Sequence, residues 1–336
     1  MSAWVWILIG TLFGPVLLGM SAWTALAIRY TAPLPAPLRK VLGPLAPVAF
    51  VAAGALTGHW WIALGLFFLL FCAVATWFSS IEPRARADWE GDVAVLPRVR
   101  WSDGGQTITV LDLRWFDYRA DGSYDARYVE RSFDLEALQA VDLIVSYWDH
   151  NKAIAHTMLS FDFGGDDVLC VSVEVRRKKG DSWAALPGLF KQYEIIYVLG
   201  DERDLVRLRA VYRQEEVFLF RTEATPEASR ALLGRILEHA AHLRNAPEFY
   251  RTIGQNCTTS LVDHINSIWP DRVPYTRKIL MNGYAPEQAF ESGLLCTNLP
   301  FDEYKQRSQI SQVAREVGDA EDFSRRIRIG LPRCEA

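Results

Sequence analysis

The sequence predicts an α+β protein, in which a soluble domain of mixed helices and strands follows an N-terminal helical membrane anchor. Three observations predict this class. Apolar residues are concentrated in the first 80 of the 336 residues. Alternating apolar and polar residues flank Gly164-Gly165 in the middle of the chain, a pattern typical of a β-hairpin. An amphipathic helix opened by Thr225-Pro226 follows.

The anchor is predicted from two apolar blocks. Residues 4–28 form a nearly uninterrupted apolar stretch, longer than the roughly 20 residues that cross a bilayer. The stretch lacks a basic start and a small-residue cleavage site, which favours a retained anchor over a cleaved signal peptide. The second block, residues 41–78, has a natural break at Thr57-Gly58-His59. We therefore predict an anchor over residues 1–80 with two or three transmembrane helices.

The orientation of the anchor depends on the number of complete spans. Arg29, Arg39 and Lys40 predict a cytoplasmic first loop by the positive-inside rule. With two spans the rest of the chain then faces outward, and with three spans it faces inward. The sequence leaves both orientations open.

The soluble part is predicted to divide into a domain over residues 82–300 and a polar, partly helical extension over residues 301–336. The elements expected in the domain are strands at 107–118, 154–163, 168–176, 193–199 and 217–220, and helices at 134–140, 201–212, 225–244 and 256–268.

The composition excludes some classes of function. A net charge of −4 and the lack of a long Lys/Arg block argue against a nucleic-acid-binding surface. The spacings of the five cysteines fit no zinc pattern, so no metal site is predicted. Cys296 and Cys334 are a candidate disulfide if the domain is exported.

Cys257 is the candidate nucleophile. The segment Asn256-Cys257-Thr258-Thr259 places this cysteine at the start of a predicted helix. The free N–H groups and the dipole of a helix N-terminus favour a thiolate there. The same N–H groups are suited to stabilise an oxyanion when the sulfur attacks an acyl carbon. Thiolate chemistry also needs a base, usually a histidine, and a group that orients it.

His156 is the candidate base among the six histidines, because it lies within a predicted strand. His264 lies on the same predicted helix as Cys257, roughly 10 Å along its axis, too far for direct pairing. If the hairpin turn is centred on Gly165, opposed residues have numbers that sum to 330, and His156 faces Glu174. Glu174 is therefore the candidate orienting group and Ser172 the second choice. A one-residue register shift would destroy this pairing.

The candidate set is completed by four residues assigned substrate-binding or supporting roles: Ser172, Arg176, Asn256 and Tyr118. Purely structural roles are also possible for the main three. Cys257 is also consistent with a small buried residue, His156 with a structural residue of a strand, and Glu174 with an ion pair on a sheet face.

A set of separated motifs resembles the Lnb-type periplasmic domain family of bacterial membrane proteins over roughly residues 88–328. The motifs are Ile154-Ala155-His156-Thr157, Ser160-Phe161, Val171-Ser172-Val173-Glu174-Val175-Arg176, Tyr193-Glu194, Glu202-Arg203-Asp204, Pro247-Glu248-Phe249-Tyr250 and Asn256-Cys257-Thr258-Thr259.

The resemblance implies a fold and a pair of catalytic residues. That family is similar to papain-like thiol enzymes with a circularly permuted order, in which the histidine strand precedes the cysteine helix. The order of His156 and Cys257 agrees. The resemblance implies that these two residues are catalytic. The covalent thiol mechanism expected of them needs no metal or organic cofactor. The resemblance also implies that the domain lies on the periplasmic face of the bacterial cytoplasmic (inner) membrane.

The resemblance also implies a function. The best-understood members move an acyl chain from a membrane lipid onto the N-terminal amine of a lipoprotein. This chain differs from them because its membrane helices precede the domain. We therefore expect a membrane-anchored cysteine acyltransferase that uses membrane lipid and lipoprotein substrates through a thioester. The rival hypotheses are a cysteine hydrolase or amidase of peptide or cell-wall bonds, and a non-enzymatic membrane-tethered interaction module.

Overall fold

The computed structural model describes residues 3–148 and 151–332, with side chains not described for 3–10 and 12. The chain folds as two compact units. The first consists of Met1–Pro83 and Trp183–Gln192, and the second of Arg84–Ser182 and Tyr193–Ala336. The predicted α+β class is confirmed, since apolar helices are followed by a sheet-containing domain.

The first unit is helical. Its helices are α1 (Ala3–Thr31), α2 (Ala36–Thr57), α3 (Trp60–Ser80) and the short α4 (Ala185–Gly188). Within the described residues, α2 and α3 are long and apolar enough to cross a membrane by length and composition. The predicted break separates them, because Gly58 ends α2 with a φ of 70°, a conformation that glycine adopts without steric cost.

The basic residues of the anchor lie at the same end as Ser80. Trp23, in the C-terminal third of α1, packs against Phe78, near the end of α3, with ring centroids 5.3 Å apart, so the C-terminal parts of these two helices lie together. Arg39 donates a 2.8 Å hydrogen bond to the carbonyl of Tyr30, which joins the start of α2 to the end of α1. The first loop therefore lies at the end of the anchor from which the chain continues beyond Ser80.

The segment Trp183–Gln192 completes the first unit. Phe190 is buried and stacks on Tyr30 at 5.6 Å between ring centroids. The Lys191 ammonium donates hydrogen bonds to the carbonyls of Phe78 at 2.7 Å and Ile81 at 3.0 Å. These carbonyls lie at the C-terminus of α3, where a helix leaves acceptors unsatisfied and favours a positive charge.

The second unit is built around a large, mostly antiparallel sheet. Its strands are β1 (Val99–Trp101), β2 (Thr107–Arg114), β3 (Asp117–Tyr118), β4 (Tyr124–Asp125), β5 (Tyr128–Asp134), β6 (Ala140–Tyr147), β7 (His156–Asp162), β8 (Val168–Arg176), β9 (Glu194–Gly200) and β10 (Glu216–Arg221). The main sheet has the order β1-β2-β9-β8-β7-β6-β10, β5 pairs with β2, and β3 and β4 form a separate ribbon.

Helices cover both faces of the main sheet. They are α5 (Glu202–Arg207), α6 (Pro226–His242), α7 (Cys257–Ile268), α8 (Arg277–Leu280), α9 (Ala285–Glu291), α10 (Phe301–Arg307), α11 (Ser311–Val317) and α12 (Phe323–Arg326). Leu159 and Val171 pack with α6 and α7 in one core. Met158 and Cys170 pack with α5, α11 and α12 in a second core. The alternation of side chains along β7 and β8 therefore supplies both cores.

The predicted register of the β7–β8 hairpin is confirmed. Met158 faces Ser172 and Asp162 faces Val168, so the paired numbers sum to 330. The turn is closed by a 2.9 Å hydrogen bond from the Phe163 N–H to the Asp167 carbonyl. Gly164 and Gly165 both have positive φ values, 102° and 64°, which explains why the turn contains two glycines.

Three predicted elements differ from the structure. The helix expected at 134–140 is wrong, because Asp134 ends β5, a single 3₁₀ turn (Leu135–Ala137) follows, and β6 begins at Ala140. The helix expected at 201–212 changes at Leu208 into a π-helical turn. The strand expected at 107–118 divides into β2 and β3.

Residues 301–332, within the segment expected as a polar, partly helical extension, lie in the same compact unit as the sheet. Tyr304, Ile310 and Phe323 are fully buried there. The Arg328 guanidinium donates to the buried carboxylates of Asp142 at 2.9 Å and Glu202 at 2.6 Å. The sequence suggested an extension because these buried side chains are separated by many polar residues.

Candidate functional site

The start of β7 carries His156 beside two polar residues of β8. His156 Nε2 lies 2.7 Å from Ser172 Oγ and 3.3 Å from Glu174 Oε1. Ser172 Oγ donates its proton to Glu174 Oε1 at 2.6 Å. Because that hydroxyl has one proton, it accepts from His156, so Nε2 carries a hydrogen. Nδ1 is then the basic nitrogen available to Cys257.

Cys257 is the first residue of α7, and its thiol is buried. The Asn256 side-chain oxygen accepts hydrogen bonds from the N–H groups of Thr258 and Thr259, both at 3.0 Å. Thr259 Oγ1 in turn accepts from the Asn256 N–H at 2.8 Å, which completes a capping box. Asn256 thus fixes the position of Cys257, and it occupies two of the N–H groups that the sequence suggested for an oxyanion.

His156 and Cys257 meet although the face of β7 that carries His156 is opposite to the face covered by α7. Cys257 belongs to the core formed with α6 and α7, whereas Met158, on the same side of β7 as His156, belongs to the opposite core. His156 is the first residue of its strand, where its side chain can reach around the strand end to α7. Thr157, the next residue, anchors the helix through a 2.9 Å hydrogen bond with Thr258.

The electrostatics favour a thiolate–imidazolium pair. Burial raises the pKa of Cys257, but the hydrogen bond to His156 and its positive charge lower that pKa to about 6. Burial lowers the pKa of His156, but the Glu174 carboxylate and the bond to Cys257 raise that pKa to about 9. Between these two values the sulfur is negative and the imidazole positive, which is the reactive form of a cysteine nucleophile.

Arg209 is a further member of this network. It donates a 2.7 Å hydrogen bond to Glu174 Oε1 and is itself buried. Burial raises the pKa of Glu174, but the charges of His156 and Arg209 hold that pKa well below its ordinary value. Arg209 lies in the π-helical turn Leu208–Tyr212, and such turns are frequent at functional sites. The regular helical period expected from the sequence for residues 201–212 indicates neither the π-helical turn nor the role of Arg209.

Asn282 also contacts the nucleophile. Its Nδ2 donates to Cys257 Sγ at 3.5 Å, and its Oδ1 accepts from the Ala155 N–H at 3.0 Å. The backbone beside it is held by hydrogen bonds from the Gly283 N–H to the Ala153 carbonyl at 3.1 Å and from the Tyr147 hydroxyl to the Gly283 carbonyl at 2.6 Å. In the sequence, the Asn282-Gly283 pair indicates a turn, but nothing near it indicates a contact with Cys257.

Two of the predicted supporting residues lie outside this network. Arg176 donates to the carbonyls of Val93 at 3.1 Å and Ala94 at 2.7 Å. The Tyr118 hydroxyl donates to Asp204 at 3.2 Å. Neither side chain has a hydrogen bond to His156 or Cys257. Ser172 and Asn256, the other two, contact His156 and hold Cys257 respectively.

An apolar slot lies next to the nucleophile, between the sheet and the helices α7 to α9. Its volume is about 70 Å³. Thr157 and Thr258, the neighbours of His156 and Cys257, form one wall. The rest of the lining is aliphatic: Leu143, Leu159, Leu261, Val262, Ile265, Val273, Ile279, Ala285, Ala289, Leu294 and Leu295, with Thr222. The slot therefore offers a site for carbon atoms and almost no polar partners.

Metal ligation was not expected from the sequence. Among residues 3–148 and 151–332, no group of three or more His, Cys, Asp or Glu side chains is arranged to hold a metal ion. The suggested pairing of Cys296 with Cys334 involves a residue outside the described ranges. Cys296 itself is buried and disulfide-bonded.

Comparison with known families places the main residues of the site in one family domain. Residues 124–283 match the family model described as "Lnb N-terminal periplasmic domain". The match confirms the resemblance seen in the sequence, over a shorter range than the expected 88–328, and it contains His156, Glu174, Cys257 and Asn282. Searches of curated proteins and of solved structures gave no match. The family and the two apolar helices indicate a membrane protein with a periplasmic domain.

Proposed function

We propose that this chain, whose residues 124–283 match the Lnb N-terminal periplasmic domain family, is a membrane-anchored acyltransferase that works through a thioester on Cys257. The observation that carries the proposal is the contact network of Cys257, His156 and Glu174. Its charges favour a thiolate at neutral pH. The second unit is proposed to be a circularly permuted papain-like domain, because its histidine strand precedes its cysteine helix.

The first half of the reaction forms the thioester. The Cys257 thiolate attacks the carbonyl carbon of a lipid ester, and the C=O electron pair moves onto oxygen. The Cys257 N–H and Asn282 Nδ2 are the donors placed to stabilise that oxyanion. When the intermediate collapses, the ester C–O bond breaks, and the leaving alkoxide takes a proton from the His156 imidazolium. The products are an alcohol and acyl-Cys257, with His156 neutral.

The second half transfers the acyl group to an amine. The amine nitrogen attacks the thioester carbonyl, and neutral His156 removes one proton from that nitrogen. The C–S bond then breaks, so the thiolate and the imidazolium are restored together with an N-acyl product. Glu174 holds the imidazole through both halves and stabilises its charged form.

The apolar slot favours an acyl chain over a polar peptide as the group carried by Cys257. Its volume of about 70 Å³ is small beside a lipid acyl chain, so a long chain would extend past it. A water molecule in place of the amine would make the same site a hydrolase, which is the principal rival function.

A non-enzymatic interaction module predicts that Cys257 and His156 are far apart or that the thiol is inert. The contact between the two residues supports an enzyme over the first of these cases. A periplasmic location is supported by the family description and by the disulfide at Cys296, since disulfides persist in oxidising compartments. The basic residues at the domain end of the anchor favour the opposite orientation.

Trapping the acyl enzyme tests the proposal. The full chain in detergent is incubated with a phospholipid, and the peptide that contains Cys257 is examined by mass spectrometry. We expect an added acyl mass that hydroxylamine removes and that is absent from Cys257→Ala. An acceptor peptide with a free N-terminal diacylglyceryl-cysteine should discharge it.

Two other results of this experiment would contradict the proposal in different ways. Acyl loss to water at the same rate with and without the acceptor would identify a hydrolase. A Cys257 that never carries an acyl group, although it reacts with a small alkylating reagent, would contradict the assignment of a lipid ester as donor.

A further inference from the structure

We propose that the surface around Cys257 is a docking site for an anionic lipid bilayer. The surface consists of five exposed apolar residues, called here the rim: Ile154, Ile253, Leu280, Met281 and Tyr284. The proposal deepens the function proposed above and rests on it for its purpose, because docking would bring lipid esters to the thiolate. The binding event itself requires no chemistry at Cys257.

The rim residues are large apolar side chains that are exposed to solvent. Their relative exposures range from 37% for Tyr284 to 63% for Ile253. Single exposed apolar side chains are ordinary on protein surfaces, but clusters of them mark sites for membranes or partner molecules. A docking site is therefore indicated by where the rim residues lie and not by their exposure alone.

All five residues are close in sequence to side chains that make the site. Ile154 lies two residues before His156, and Ile253 lies four residues before Cys257 in the turn closed by Arg251 and Gln255. Leu280, Met281 and Tyr284 lie on both sides of Asn282, whose amide contacts Cys257 Sγ.

Hydrogen bonds join two of the three rim segments, the one with Ile154 and the one around Asn282. Asn282 Oδ1 accepts from the Ala155 N–H at 3.0 Å, and the Gly283 N–H donates to the Ala153 carbonyl at 3.1 Å. Buried neighbours also hold the segment, since Ile279 and Ala285 point into the apolar slot. The same segment is thus apolar on its inner side, towards the slot, and on its outer side, towards solvent.

Basic residues accompany the rim in each of its three segments. Lys152 precedes Ile154 by two residues, Arg251 precedes Ile253 by two, and Arg277 precedes Leu280 by three. The three cations are exposed, and none forms an ion pair within residues 3–148 and 151–332. Lys278, by contrast, is paired with Glu287 at 2.9 Å and Glu291 at 2.5 Å.

The combination identifies the partner as a lipid surface. Apolar side chains that enter the acyl boundary, with unpaired cations beside them at headgroup level, are the features that bind peripheral proteins to anionic membranes. The slot beside the rim is apolar and offers the polar groups of a peptide almost no partners. The helices α2 and α3 supply the independent reason for a bilayer to be near.

Vesicle flotation tests the proposal. The full chain carries Cys257→Ala, so that acylation cannot contribute, and is held in a non-ionic amphipol, so that no bilayer is present in cis. Vesicles contain either phosphatidylcholine alone or phosphatidylcholine with phosphatidylglycerol. The rim variant combines Ile253→Ser, Leu280→Ser and Met281→Ser, and its control is Ile329→Ser, at a residue that is 68% exposed outside the rim. The charge variant combines Arg251→Ser and Arg277→Ser, with Lys179→Ser as control.

We expect tighter binding to the anionic vesicles. The rim variant should lose roughly tenfold or more in affinity, and the charge variant roughly fivefold for each cation removed. Both controls should bind as the parent does, and melting temperatures should verify that all variants are folded.

Equal binding to both kinds of vesicle, or an unchanged affinity in the rim variant, would overturn the proposal. Binding that follows the charge variant alone would also do so, because it would indicate an acidic partner without apolar insertion. Failure of the thioester test with intact vesicle binding would instead remove the proposed function and leave the docking surface.

Discussion

At the scale of single residues, the site depends on how each polar group is satisfied. His156 has Ser172 and Glu174 on one side, which leaves its other nitrogen for Cys257. Glu174 is in turn shared with Arg209. The sequence predicted His156, Glu174 and Ser172 together because strand pairing follows a period that can be counted. Arg209 and Asn282 come from segments whose approach depends on tertiary packing, which no local pattern encodes.

The role of Asn282 as an oxyanion donor belongs to this scale. Asn282→Ala removes the Nδ2 group that lies 3.5 Å from Cys257 Sγ. Because loss of one such donor costs about 10²- to 10³-fold in turnover, we expect acyl transfer to slow by that factor. The alkylation rate of Cys257 should change far less, since alkylation forms no oxyanion. Equal losses in both reactions would assign Asn282 a purely structural role, and Asn245→Ala, at an exposed asparagine, is the control.

At the scale of elements, the site is a meeting of one hairpin, one helix start and one turn. The hairpin was predictable from Gly164-Gly165 and the alternating residues beside it, and the helix from Asn256 and the apolar period after Cys257. The helix expected at 134–140 fails because Leu138 has an extended backbone after a single turn. Asp134 does cap that turn, by accepting from the Glu136 N–H at 3.0 Å. The predicted cap was therefore correct, but the helix ends after one turn because β6 begins at Ala140.

The turn that carries Asn282 can be tested through Gly283. A Cβ at this position would lie 2.1 Å from the Lys152 carbonyl oxygen, so Gly283→Ala must displace the turn. Displacements of this kind cost about 1–3 kcal/mol, so we expect a lower melting temperature and a loss of acyl transfer. Gly234→Ala, in α6, is the matched control, because a Cβ there meets no atom within 4 Å. That change should raise stability slightly, by about 0.5–1 kcal/mol; a melting temperature unchanged in Gly283→Ala would contradict the close packing.

At the scale of the whole molecule, the open question in the sequence was the side of the membrane on which the domain lies. In the hairpin of α2 and α3, Arg39 and Ser80 lie at the same end. This is the arrangement that the sequence predicted for three spans, with the first loop and the domain on one side. The family description nevertheless indicates a periplasmic domain. The hydrophobic pattern of the sequence predicts the positions of the membrane helices. The orientation of the domain depends on how those helices are inserted into the membrane, which the local charges do not fully determine.

A reporter fusion decides the orientation. Alkaline phosphatase, which is active only after export, is fused after Ala336 of the full chain, and a fluorescent protein that folds in the cytoplasm is fused at the same point in a parallel chain. We expect phosphatase activity and no fluorescence. Fluorescence without phosphatase activity would place the domain in the cytoplasm and would exclude lipoproteins exposed on the periplasmic face as substrates.

The thiolate–imidazolium pair is tested most directly by the rate at which iodoacetamide alkylates Cys257 as a function of pH, with the full chain in detergent. We expect a thiolate that appears with a pKa of about 6. In His156→Ala the stabilising imidazolium is lost, so the midpoint should rise towards the value of about 8.5 for a free thiol. Glu174→Gln should shift it the same way, because loss of the carboxylate lowers the pKa of His156 and so removes its charge near neutral pH. A midpoint near that of a free thiol in the unmodified chain, or one that does not respond to His156→Ala, would contradict the pair.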